Sequence, residues 1–117
     1  MKNYPTTQTN VRTPNLLIER VKSKNRNFNG FAQAALSQLV RDMQLARDIQ
    51  LDQCNYTWIK YVTYQGERPS FLEPFYRDGT TLKTYRLKQL DVDWLKLNQY
   101  SLSRCLILAL VYKLTMD

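Results

Sequence analysis

Gln8, Asn10 and Arg12 stand at alternate positions in the stretch QTNVRTP, residues 8–14. In extended backbone successive side chains point to opposite faces, so these three share one face of a strand, with Thr9, Val11 and Thr13 on the other. Three hydrogen-bonding side chains in a row fit a solvated edge strand, and they also fit the reading of base edges. Arg bonds guanine O6 and N7 with two parallel donors, and Asn or Gln does the same with adenine N6 and N7. A two-stranded ribbon fits the major groove, where each base pair shows its own pattern of donors and acceptors. Nothing comparable points to turnover. The chain has no His to serve as a general base, and its three glycines form neither a phosphate-cradling loop nor a G-x-S-x-G turn. Cys54 and Cys105, without His, make a poor metal set and read as buried free thiols. No enzyme, metal or cofactor is expected.

Charge points to an anionic partner, a nucleic acid or a membrane surface. The 117 residues carry 17 Lys and Arg against 10 Asp and Glu, a net charge of +7, which favours an anionic partner. The excess is uneven: residues 1–50 hold eight basic and three acidic side chains, residues 51–117 nine and seven. The opening MKNYPTTQ lacks the apolar core of a signal peptide, and the longest apolar run, Cys105 to Tyr112, is too short to span a bilayer. The expected location is the cytoplasm, with no membrane partner.

The strand needs elements to hold it. Residues 1–7 read as a flexible arm and 8–13 as the strand itself. Pro14 suits the first turn of a helix, where its missing N–H has no partner to lose. In 15–24, NLLIERVKSK, the apolar residues Leu17, Ile18 and Val21 form a narrow helical stripe. NRNFNG is a polar, helix-breaking turn in which Asn29 is a good N-cap. A long helix follows over about 30–50, with Ala32, Ala35, Leu36, Leu39, Val40, Met43 and Ala46 recurring at steps of three and four.

Strand, Pro-opened helix, polar turn and longer capped helix, from about Gln8 to Met43, resemble the ribbon-helix-helix repressors of the Arc, MetJ and CopG kind, and the Arc branch in particular through Gln-x-Asn-x-Arg-x-Pro. That resemblance implies that the strands of two subunits pair antiparallel and lie in the major groove, with base contacts from Gln8, Asn10 and Arg12. FNGFAQAAL also resembles the second-helix entry of CcdA-type antitoxins, which implies a phosphate held at Asn29, Gly30 and Phe31. Lys22, Lys24 and Arg26 would add long-range attraction. A lone two-stranded ribbon is marginal in water, so a homodimer is expected. Thr9, Val11 and Thr13 would then sit on the helices, and Ala32, Ala35, Leu36, Leu39, Val40 and Met43 would supply the interface.

Beyond residue 50 the period changes. YTWIKYVTY suggests a strand over about 56–64, and FLEPFYR, Asp78-Gly79 and TTLKTYRLK suggest a hairpin. A short helix is expected around 91–99, then an apolar helix to about 115 capped by Ser101 or Ser103. Trp58, Tyr61, Tyr64, Phe71, Phe75 and Tyr76 read as core of the hairpin region. The organisation expected is α+β: a ribbon-helix-helix domain over 1–50, then a small α+β oligomerisation or effector domain over 51–117 with a β-hairpin and a terminal apolar helix. A second parse stays open, in which 80–115 is a degenerate second unit with Tyr85 and Leu87 inward and Thr84, Arg86 and Lys88 outward. The ribbon would then form within one chain, as in tandem relaxosome proteins.

The leading functional expectation is a sequence-specific repressor of double-stranded DNA, dimeric and forming a tetramer where dimers sit side by side on a repeated operator. Alternatives are an antitoxin that represses its own operon and binds a toxin through 52–117, a DNA-transfer or transposition accessory, and a dimerisation module with no DNA.

Overall fold

The computed structural model describes residues 5–48 and 70–116. The first strand, β1, runs Thr6–Pro14 and begins two residues earlier than the alternation suggested, so Thr6 and Thr7 belong to the strand rather than to an arm. Pro14 ends it, with φ −57° and ψ 133°, and α1 (Asn15–Lys24) follows at once, burying Leu17 and Val21. After a three-residue turn comes α2, Phe28–Asp48, 21 residues long.

The second half departs from the expected hairpin. SFLEPFY, Ser70–Tyr76, is a 3₁₀ helix containing Pro74; a proline there has no N–H for a ladder. Gly79 turns the chain at φ +82°, a conformation that favours glycine. The segment that follows, β2 (Thr80–Lys88), pairs antiparallel with β1 and not with 70–76. Then come α3 (Gln89–Leu97) and α4 (Leu102–Met116). The expected strand at 56–64, with Trp58, Tyr61 and Tyr64, lies outside the described residues.

The ribbon is therefore made by one chain, which corrects the expectation that a second copy supplies the partner strand. Nine pairs run from Thr6↔Lys88 to Pro14↔Thr80, centred on Asn10↔Thr84. The ladder continues one step past each end: the Asn15 N–H donates to the Gly79 carbonyl at 3.0 Å, and the Gln89 N–H to the Pro5 carbonyl at 2.9 Å. Two strand-helix-helix units lie in near-perfect repeat. Their strands start at Thr6 and Thr80, their first helices at Asn15 and Gln89, their second helices at Phe28 and Leu102. Each offset is 74 residues, the same separation as that between Asn10 and Thr84.

Both units share one core. Val11, Leu17, Val21 and Ala32 to Met43 on one side meet Tyr85, Leu87, Val92, Leu95 and the apolar run from Cys105 to Val111 on the other. The side chains expected at a dimer interface are buried inside the single chain. Val11, Ala32, Ala35, Leu36, Leu39, Val40 and Met43 lie in this core, Thr13 is fully buried, and Thr9 is half-buried on the same face. The physical reason is the α2–α4 packing: the helix that would face a partner copy faces its own repeat. Residues 80–116 thus complete the core of the first half instead of forming a separate unit.

On the inner face of the ribbon, Thr13 Oγ1 donates to the Val11 carbonyl at 3.0 Å and lies 2.8 Å from the Tyr85 hydroxyl. The threonine has a single hydroxyl proton and gives it to Val11, so Tyr85 donates to Thr13. The Tyr85 ring packs 5.8 Å from that of Phe28, the first residue of α2. Lys83 Nζ sits 4.4 Å from the centre of the Phe28 ring.

Candidate nucleic-acid interface

The outer face of the ribbon is built by strand alternation alone. Gln8, Asn10 and Arg12 are all exposed, as the sequence pattern requires. The register sets them against Arg86, Thr84 and Leu82 respectively, and these three are exposed as well. Lys88, outward in the open parse, pairs with Thr6 at the ribbon end and is half-buried. Leu82 escaped the sequence reading because an apolar side chain on an outward position gives no polar signal. It is 55% exposed.

Contacts across the strands order this surface. At the centre Thr84 Oγ1 donates to Asn10 Oδ1 at 2.8 Å. At one end the Arg86 guanidinium reaches Thr6 Oγ1 at 3.4 Å and Gln8 Oε1 at 3.5 Å, distances at the weak limit of hydrogen bonding. At the other end Arg12 lies beside Leu82. Beyond them, Thr81 Oγ1 donates to Asn15 Oδ1 at 2.5 Å and Asn15 Nδ2 to the Asp78 carbonyl at 2.9 Å, which ties the turn before β2 to the start of α1. The two strands hold Arg12, Lys83, Arg86 and Lys88 and no acidic residue. Burial, with Lys22 as a second cause, lowers the pKa of Lys83.

The helix starts sit beside the two arginines. On the first repeat, the Gly30 N–H is capped at 2.9 Å by Asn27 Oδ1. Asn27, not Asn29, is thus the N-cap of α2. A Cβ on residue 30 would lie 2.7 Å from Asn27 Nδ2, so a larger residue there would displace the capping side chain. On the second repeat the Arg104 N–H donates to Ser101 Oγ at 3.3 Å. Serine is smaller, and arginine stands where the first repeat has Gly30. Of the two caps the sequence left open for α4, the structure takes Ser101.

Asn29 has another task. Its Oδ1 accepts the Arg86 N–H at 2.8 Å and its Nδ2 donates to the Arg86 carbonyl at 3.1 Å. Gln33 Nε2 adds a 2.7 Å bond to the same carbonyl. The amide therefore pairs like a third strand with the outer edge of β2, which blunts an otherwise open edge. The phosphate role expected of Asn29, Gly30 and Phe31 falls to their backbone N–H groups, two of which already have partners: the Gly30 N–H is capped by Asn27 Oδ1, and the Phe31 N–H donates to the Asn27 carbonyl at 3.0 Å. At the corresponding corner of the second repeat, Arg12, Ser101, Ser103, Arg104 and Ile107 line a cleft of about 360 Å³ with Leu72 and Tyr76. Among the expected flanking cations, Lys22 lines an open cleft with Leu82, Lys83 and Thr84. Lys24 and Arg26 are exposed at the end of α1 and in the turn after it.

Among the described residues no group of three or more His, Cys, Asp or Glu is placed to hold a metal, and no helix is long and apolar enough to cross a membrane. Cys105 is a buried free thiol whose pKa burial pushes up to about 12. No protein-family model, curated protein or solved structure matches the chain.

Proposed function

We propose that this chain is a sequence-specific double-stranded DNA-binding protein of the ribbon-helix-helix kind, acting as a transcriptional repressor, in which one chain supplies both strands that enter the major groove. The observation that carries this reading is the outward row Gln8, Asn10, Arg12 lying against Arg86 and Thr84 on a two-stranded ribbon with no acidic residue. The major groove is about 12 Å wide and admits such a ribbon. Arginine at each end supplies the donor fork for guanine, and the amides supply the adenine pattern. The starts of α2 and α4, which carry partial positive charge, adjoin Arg86 and Arg12 and would face the phosphates on either side.

Because the ribbon is complete within one chain, a single copy suffices for one groove contact. That observation also favours the reading as a DNA-transfer or transposition accessory, which needs the same binding surface without repression. The antitoxin alternative assigns toxin binding to residues 52–117, of which residues 80–116 share the core with the first half.

Binding of a labelled duplex, measured by anisotropy over a salt series, tests the reading. Affinity is expected to fall steeply as salt rises, because each phosphate neutralised releases counterions, and one chain is expected to saturate one site. A complex insensitive to salt, or none at any duplex sequence, would leave a protein-interaction module in its place.

A further inference from the structure

The two ends of the ribbon are chemically different, although the fold that holds them is a repeat. By the 74-residue offset, Arg12 corresponds to Arg86, Asn10 to Thr84 and Gln8 to Leu82. Two identical chains would place Gln beside Arg at both ends. Here Gln8 lies beside Arg86 at one end, and Leu82 beside Arg12 at the other. We propose that the ribbon recognises a duplex target without a dyad, with guanine read by arginine in both arms, adenine read by Gln8 in one arm, and the 5-methyl group of thymine packed by Leu82 in the other. This rests on the DNA-binding reading above.

Three observations support it. Leu82 is 55% exposed on a strand face whose other outward members are polar or charged, and its side chain has no hydrogen-bonding group. The one apolar feature of a base edge in the major groove is the thymine methyl. The arginines are shared by both repeats, so the arms agree in one contact and differ in the neighbouring one. The centre is asymmetric too, with Thr84 donating to Asn10 Oδ1. A single chain permits this divergence, because its two strands are encoded separately.

Selection of the intact protein's targets from a random duplex pool, read by sequencing, tests the proposal. The expected motif has no dyad and holds a thymine in one arm. Uracil at that thymine, which lacks the methyl group, is expected to weaken binding by the parent about threefold to fivefold and to leave Leu82→Ala unaffected. The double change Leu82→Gln with Thr84→Asn is expected to convert the selected motif to an inverted repeat. A dyad-symmetric motif from the parent, or indifference to uracil, overturns the asymmetric target while leaving DNA binding in place. If the pool yields no enriched duplex, the DNA-binding reading fails first and this inference with it.

Discussion

Tyr85→Ala is expected to lower folding stability by about 3–5 kcal/mol, the range for removing a large buried aromatic side chain. Tyr85 is fully buried under the ribbon, packs on Phe28, and donates to the Thr13 hydroxyl. Truncation would open a cavity at the seam of the two repeats and remove the only contact that links the inner faces of both strands through side-chain oxygens among the described residues. Tyr85→Phe keeps the ring and should cost about 1 kcal/mol, the net worth of one hydrogen bond. Denaturant unfolding of the two variants checks both values. Burial pushes the Tyr85 pKa up to about 12 from an ordinary 10. The sign of the pH dependence follows. Between those values the unfolded chain loses the phenolic proton while the folded chain keeps it, so this group's contribution to stability is complete below pH 10 and declines as pH rises toward 12. Tyr85→Phe is expected to remove that part of the alkaline loss.

The second large effect falls on affinity. Arg12→Ala and Arg86→Ala are each expected to weaken binding of the selected duplex by about 1–3 kcal/mol, roughly fivefold to somewhat over a hundredfold. Arg86 pairs opposite Gln8, and Arg12 lies four residues along the same strand, so the two arginines are on the order of 13 Å apart along the ribbon. Sites at that separation behave additively. The double variant should therefore lose about the sum, while unfolding midpoints stay near the parent value because both side chains are exposed. Lys24→Ala should instead weaken all duplexes alike and reduce the salt slope by about one. An unchanged affinity in the double variant would remove the ribbon from the DNA contact.

How much of this was legible in the sequence differs between the halves. β1, α1 and α2 follow from alternation, Pro14 and a stripe with helical period, and the structure places them within two residues of those limits. The outward position of Gln8, Asn10 and Arg12 needed only the period of a strand. Choosing the cap of α2 was harder, because Asn25, Asn27 and Asn29 alternate and each is a good cap by type. Burial of Phe28 decides between them, since it draws the helix start back so that Asn27 precedes it. In the second half a local rule competed with a distant one. Asp78-Gly79 between apolar segments fits a hairpin, but Pro74 weakens 70–76 as a strand while β1 offers nine pairs to β2. The repeat itself was faint because, of the Gln8, Asn10 and Arg12 row, only the arginine recurs, at Arg86, with Leu82 and Thr84 in place of Gln8 and Asn10. The spacing from Arg86 to Ser101, the same as that from Arg12 to Asn27, was the signal that could have fixed it.

The measurement that bears most directly on the role of the ribbon is a titration of isotope-labelled protein with its selected duplex, followed by the amide spectrum of backbone and side chains. The largest shifts are expected along residues 6–14 and 80–88, including the side-chain amides of Gln8 and Asn10, with one chain saturating one duplex. Shifts confined to the outer faces of α3 and α4, with both strands unmoved, would contradict it.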